Sequence, residues 1–129
     1  MNKEQTIEET MKVSTATLND LIVDSIQDIK GNNIVKLDLN KLEEAPTNFF
    51  IICEGDSTTQ VRAIANNIIK RAKEELNMKP LHVEGRAYSK WVLVDFFDTV
   101  VHVFYPETRA YYELEALWSD ADTTEYDNI

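Results

Sequence analysis

"WVLVDFFDTVVHVF", residues 91–104, places two apolar runs on either side of Phe97 and Asp98. If those two residues form a tight turn, the runs become one hairpin. Phe96 then stands opposite Thr99, Asp95 opposite Val100, and Leu93 opposite His102. Side chains alternate between the faces of a strand. One face of the hairpin therefore carries Val92, Val94, Phe96, Val101 and Val103, which is core. The other carries Trp91, Leu93, Asp95, Val100, His102 and Phe104. Asp95 and His102 become diagonal neighbours on that second face, as an acid–base pair or as polar fittings of a binding surface.

Upstream, Leu18, Leu21, Ile22, Ile26 and Ile29 recur at three- and four-residue spacings, which predicts a helix from about Ser14 with Gly31 as its stop. "NIVKLDL" (33–39) reads as a strand, "EEAPTN" as a loop, and "FFIIC" (49–53) as a strand buried on both faces. "GDSTTQ" then opens a helix through a capping box of Ser57 and Gln60. Its apolar stripe runs from Val61 through Ile64, Ala65, Ile68, Ile69 and Ala72 to Leu76. "KPLHVEG" is a short strand before the hairpin. "ETRAYYELEALWSDA" reads as one closing helix, with Ala110, Tyr111, Leu114, Leu117 and Trp118 inward and Arg109, Tyr112, Glu113 and Ala116 outward. This order predicts a single α/β domain, a mixed sheet of about five strands flanked by helices. Residues 1–13 read as an N-terminal tail, 14–121 as the domain, and 122–129 as an acidic C-terminal tail.

The 129 residues suit one domain with a radius of gyration of about 14 Å. No run approaches a membrane span of roughly 18 apolar residues, and "MNKEQTIEETMKV" holds no apolar signal core. The single cysteine, Cys53, forms no internal disulfide, which suits a reducing cytoplasm. The net charge is −10, concentrated at the ends: residues 105–129 hold only Arg109 against seven acids. Nucleic-acid binding needs cations that displace counterions from phosphates, so the whole-chain charge argues for little direct nucleic-acid binding. It favours a basic protein partner. Cys53 lies mid-strand in an apolar run, where a thiol behaves as a small hydrophobe. His82, His102 and Asp95 lack the spacing of a metal site. Neither a cofactor nor a metal is expected, and Asp95–His102 reads as a hydrogen-bonded fitting that orients a gripping surface.

"EGRAYSKWVLVDFFDTVVHVFYPETRAYYELEALWSDA" (84–121) resembles the C-terminal signature of the ribosomal silencing factor (Iojap) family. The matching positions are Glu84-Gly85, Trp91, Asp95, Asp98, Val101-His102, Arg109, Tyr112, Leu114-Glu115 and Leu117-Trp118. "IICEGDSTTQVRAIA" resembles the family's upstream strand–Gly–Ser–helix segment, so the likeness spans about residues 14–121. Most relatives have glycine where this chain has Phe97.

The resemblance implies a factor that binds the large ribosomal subunit through its protein fourteen. It would thereby block joining of the small subunit and repress translation, chiefly under nutrient limitation. The expected contact residues are Trp91, Asp95, His102, Arg109, Tyr112 and Glu113, and a homodimer could cover the same aromatic face. The resemblance also implies a nucleotidyltransferase-like fold, which makes an enzyme acting on a nucleotide or RNA the rival reading. Two-metal nucleotidyl transfer needs clustered carboxylates, typically Asp-x-Asp on the strand after the Gly-Ser helix. The only Asp-x-Asp here lies in "SDADT", near the C-terminus, so the catalytic cluster is missing and the protein is not expected to be an enzyme.

Overall fold

The computed structural model describes residues 13–129. The expected N-terminal tail, apart from Val13, lies outside the described residues. The elements run α1 (Thr15–Asp28), β1 (Asn32–Asp38), β2 (Phe49–Glu54), α2 (Thr58–Leu76), β3 (His82–Glu84), β4 (Trp91–Asp95), β5 (Thr99–Phe104) and α3 (Pro106–Tyr112). A 3₁₀ segment (Leu114–Trp118) and β6 (Asp122–Tyr126) follow. One mixed sheet has the order β3-β4-β5-β2-β1-β6, with β2 and β5 parallel at its centre and the other pairs antiparallel.

The hairpin registers as its pattern requires: Leu93 faces His102 and Asp95 faces Val100. Val92, Val94, Phe96, Val101 and Val103 all enter the core beneath α1 and α2. β2, paired on both sides, buries Phe50, Ile51, Ile52 and Cys53. The turn holds Phe97 at φ 79, with the Asp98 N–H donating to the Phe96 carbonyl at 3.1 Å. This is a γ-turn through a left-handed residue, a conformation that suits glycine better than phenylalanine.

Both long helices start as their caps dictate. The Ser14 hydroxyl accepts the Thr17 N–H, and the Ser57 hydroxyl accepts the Gln60 N–H, each at 3.1 Å. The Gln60 side chain returns to the Asp56 N–H at 2.6 Å. Its amide also donates to the Ile29 carbonyl, fastening the start of α2 to the end of α1. At that end Lys30 takes the left-handed turn, while Gly31 lets the chain pass the helix. A β-carbon there would come 2.3 Å from Ile26 Cγ2. Ile64 and Ile68 are sealed between α2 and the sheet. Replacing either with alanine is expected to cost about 2–5 kcal/mol by leaving a cavity, measured by urea denaturation.

The C-terminal region differs from its sequence pattern in two places. Residues 122–126, read as part of the acidic tail, add a sixth strand to the expected sheet of about five: they pair antiparallel with β1 from Ile34–Tyr126 to Asp38–Asp122. "DTTEY" carries the β-branched and aromatic residues of a strand, but exposure of one edge leaves it polar and acidic. The closing helix also breaks. Glu113 turns left-handed at φ 47, ending α3 after Tyr112. Residues six apart on a continuous helix lie about 240° apart around the axis. Glu115 would then never reach Arg109, and the break lets it do so.

Candidate functional site

The second face of the hairpin is only partly covered. Leu37, Leu39, Phe50, Ile52, Val100 and Phe104 form its core, with Leu114 and Trp118 packed over one end. Beside these, Trp91 is half-buried and His102 is buried. The Trp91 indole N–H donates to His102 Nδ1 at 3.0 Å. The Trp91 ring also lies 4.8 Å from Phe104 and 5.0 Å from Tyr112, centroid to centroid. Tyr112 is 54% exposed and meets the still more exposed Tyr111 edge to face at 5.0 Å. These rings make an aromatic ledge anchored at its base and open at its rim.

His102 is only 4% exposed and packs edge-on against Phe50 at 4.7 Å. Burial disfavours its charged form and pushes its pKa down to about 4. Because Nδ1 accepts the indole proton, the ring's own proton resides on Nε2, which has no hydrogen-bond partner among the described residues. His102 also lines a groove of about 440 Å³ beside the ledge, floored by Phe50 and Leu93 and walled by Pro46 and Phe97.

The depressed pKa has a consequence for stability. An unfolded histidine titrates near 6.5, so between about pH 6.5 and 4 the unfolded chain binds a proton that the fold excludes. The contribution is full above pH 6.5 and lost as pH falls toward 4, on the order of 3 kcal/mol. His102→Gln keeps an acceptor for Trp91, and its stability should change less than wild type over that window in urea titrations.

Asp95 and His102 do not form the expected pair. Asp95 Oδ1 instead accepts the Phe97 N–H at 2.7 Å, and its backbone carbonyl accepts the Leu81 N–H at 2.8 Å. A short aspartate beside a turn meets the free N–H two residues on before it can reach a diagonal neighbour. Asp95 closes the turn; Trp91 orients His102.

Arg109 also lies elsewhere than expected: it is buried, not outward. Its guanidinium donates to the Asn33 carbonyl at 2.7 Å, to Glu54 at 3.2 Å, and to both oxygens of Glu115 at 3.1 and 3.2 Å. It ties β1, β2, α3 and the 3₁₀ segment together. Tyr112, Glu113 and Ala116 are exposed, but so are Ala110, Tyr111 and Leu117, which the unbroken helix had placed inward. Sequence reasoning thus missed Tyr111, which the helical phase hid, and Phe50, whose alternation with Ile52 on β2 was the available signal.

Burial pushes the Cys53 thiol up to about 12, and His82 is an exposed strand residue whose Nε2 meets Glu84 at 2.6 Å. Among the described residues no three His, Cys, Asp or Glu side chains are grouped to hold a metal ion. No described helix is long and apolar enough to cross a membrane.

Comparison with known proteins places this geometry. A family profile described as "Ribosomal silencing factor during starvation" matches residues 12–129. The chain is 39% identical over 117 residues to a ribosomal silencing factor of Halalkalibacterium halodurans, covering 91% of this chain and 98% of that one. It is 40% identical over 100 residues to the Bacillus subtilis ribosomal silencing factor, covering 78% and 83%. The crystal structure of a Chromobacterium violaceum protein superposes with a TM-score of 0.79 at 38% identity, covering 83% of this chain and 88% of that one.

Proposed function

Because this chain belongs to the ribosomal silencing factor family, we propose that it docks on the large ribosomal subunit and holds the small subunit away. The contact is with the large subunit's protein fourteen, and the outcome is repression of translation, chiefly under nutrient limitation. The work is done where ribosomes work, in the cytoplasm. The observation that carries this reading is the aromatic ledge, with Trp91 clamped to His102 beneath and Tyr112 open above. Large aromatics held rigid at low entropic cost are the usual anchors of protein interfaces. The groove beside it gives a partner side chain an apolar floor, with Asp95 and Asp98 at its wall to receive a cation.

Silencing then needs no catalysis. A rigid body with a radius of gyration of about 14 Å, parked where two subunits must close to contact, excludes the second subunit by volume alone. The acid-rich surface suits a basic ribosomal protein. The test is competition. Purified factor is added to separated subunits, and formation of whole ribosomes is followed by sedimentation. Subunits that remain apart support the reading; subunits that join as readily as without the factor overturn it.

A further inference from the structure

We infer that a second surface, the basic edge formed by α2 and the 85–90 loop, contacts ribosomal RNA beside the docked protein. The inference rests on the large-subunit docking proposed above. Between Ser57 and Lys90 seven Lys and Arg stand against three Asp and Glu, inside a chain of net charge −10. The fold gathers this excess. At about 100° per residue, Arg62, Asn66, Lys70 and Lys73 fall within about 80° of one another around α2. The other side of that helix is occupied by Arg71, which pairs with Asp24, Asp28 and Glu75. Arg62 and Asn66 both reach the 85–90 loop, so the stripe and the loop are one surface. Lys70, Lys73, Arg86 and Lys90 are exposed and, among the described residues, make no salt bridge.

The loop is held with more structure than an ordinary surface turn needs. Ser89 is fully buried at φ 55, and its hydroxyl donates to the Arg86 carbonyl at 2.6 Å. The Arg62 guanidinium donates to that carbonyl and to Ser89 Oγ, each at 3.1 Å, and to the Ala87 carbonyl at 3.3 Å. At its start Gly85 stands at φ 90, where a β-carbon would lie 2.1 Å from the Trp91 carbonyl. What this scaffold presents is Tyr88, 84% exposed, in the sequence Arg86-Ala87-Tyr88-Ser89-Lys90. An open aromatic flanked by unpaired cations is the composition that stacks a base while neutralising its phosphates. Whole-chain acidity does not forbid this, because charges act over a Debye length of about 8 Å at physiological salt.

The experiment measures binding to isolated large subunits across roughly 50–200 mM salt. The variant is Lys70→Gln, Lys73→Gln, Arg86→Gln and Lys90→Gln combined, with Lys36→Gln plus Lys41→Gln as an off-edge control. Four lost phosphate contacts should flatten the slope of log affinity against log salt by about 3, at about 0.7–0.9 per contact. The control should keep the wild-type slope. Ultraviolet irradiation of the wild-type complex should attach the 86–90 peptide to RNA. A wild-type slope in the four-site variant overturns the inference and leaves the docking reading intact. Capture of the 86–90 peptide on protein overturns it in favour of an acidic protein partner. A variant that turns a free dimer into a monomer with its slope unchanged overturns it in favour of self-association. If wild type does not bind large subunits at all, the docking reading itself falls and takes the inference with it.

Discussion

Trp91→Ala combined with Tyr112→Ala is expected to let ribosomal subunits join at concentrations of factor where wild type holds them apart. Each ring should contribute about 2 kcal/mol or more to large-subunit binding, the scale of an interface anchor. That is at least roughly thirtyfold in affinity. The two rings touch at 5.0 Å, so their losses should not add in full. Folding has to be separated from binding here, because Trp91→Ala removes the donor to His102 and leaves both imidazole nitrogens without a partner among the described residues. Tyr112→Ala removes a ring that is more than half exposed, and its melting temperature should stay close to wild type. Tyr112→Ala therefore carries the clean test, and the double variant the large effect. A folded double variant that still keeps subunits apart as well as wild type would show that the ledge is not the contact.

The second large effect is on stability. Arg109→Ala should destabilise the fold by about 3–5 kcal/mol in urea denaturation, since it strips the partner from the largely buried Glu54 and the half-exposed Glu115. Glu54 is largely buried, and its carboxylate faces Arg109 at 3.2 Å. Glu115 loses a two-pronged partner, and the Asn33 carbonyl loses a donor. Arg109→Lys should recover little of this, because an ammonium cannot span four acceptors on three segments of chain. The outcome also separates two roles. A residue that contacted the ribosome would, when removed, lower subunit binding and leave the urea midpoint in place. Arg109→Ala is expected to do the reverse, with binding reduced only in proportion to the unfolded fraction.

Local pattern by itself determined the hairpin. Alternation over Trp91–Phe104 sorted eleven side chains onto two faces correctly, because a strand's side-chain period of two leaves no intermediate register. The caps at Ser14 and Ser57 were equally legible, since a hydroxyl and an N–H three residues on meet through local geometry alone. The exposed Trp91–Tyr112 side of the candidate site was readable to the same extent: the strand alternation placed Trp91, and Tyr112 lay outward on either phase of the last helix.

The tertiary structure decided what depends on partners far apart in sequence. "ETRAYYELEALW" has the spacing of one helix, yet Arg109 meets Asn33 and Glu54 across 76 and 55 residues and draws Glu115 back to it, and the helix breaks at Glu113 to allow this. "DTTEY" becomes a strand only because β1 leaves an unpaired edge for it. Asp95 and His102 sit as near as their spacing implied, but a closer turn N–H takes one and an indole N–H takes the other. A buried polar group accepts the nearest well-aligned partner that the fold supplies, and neither composition nor periodicity encodes which one that is.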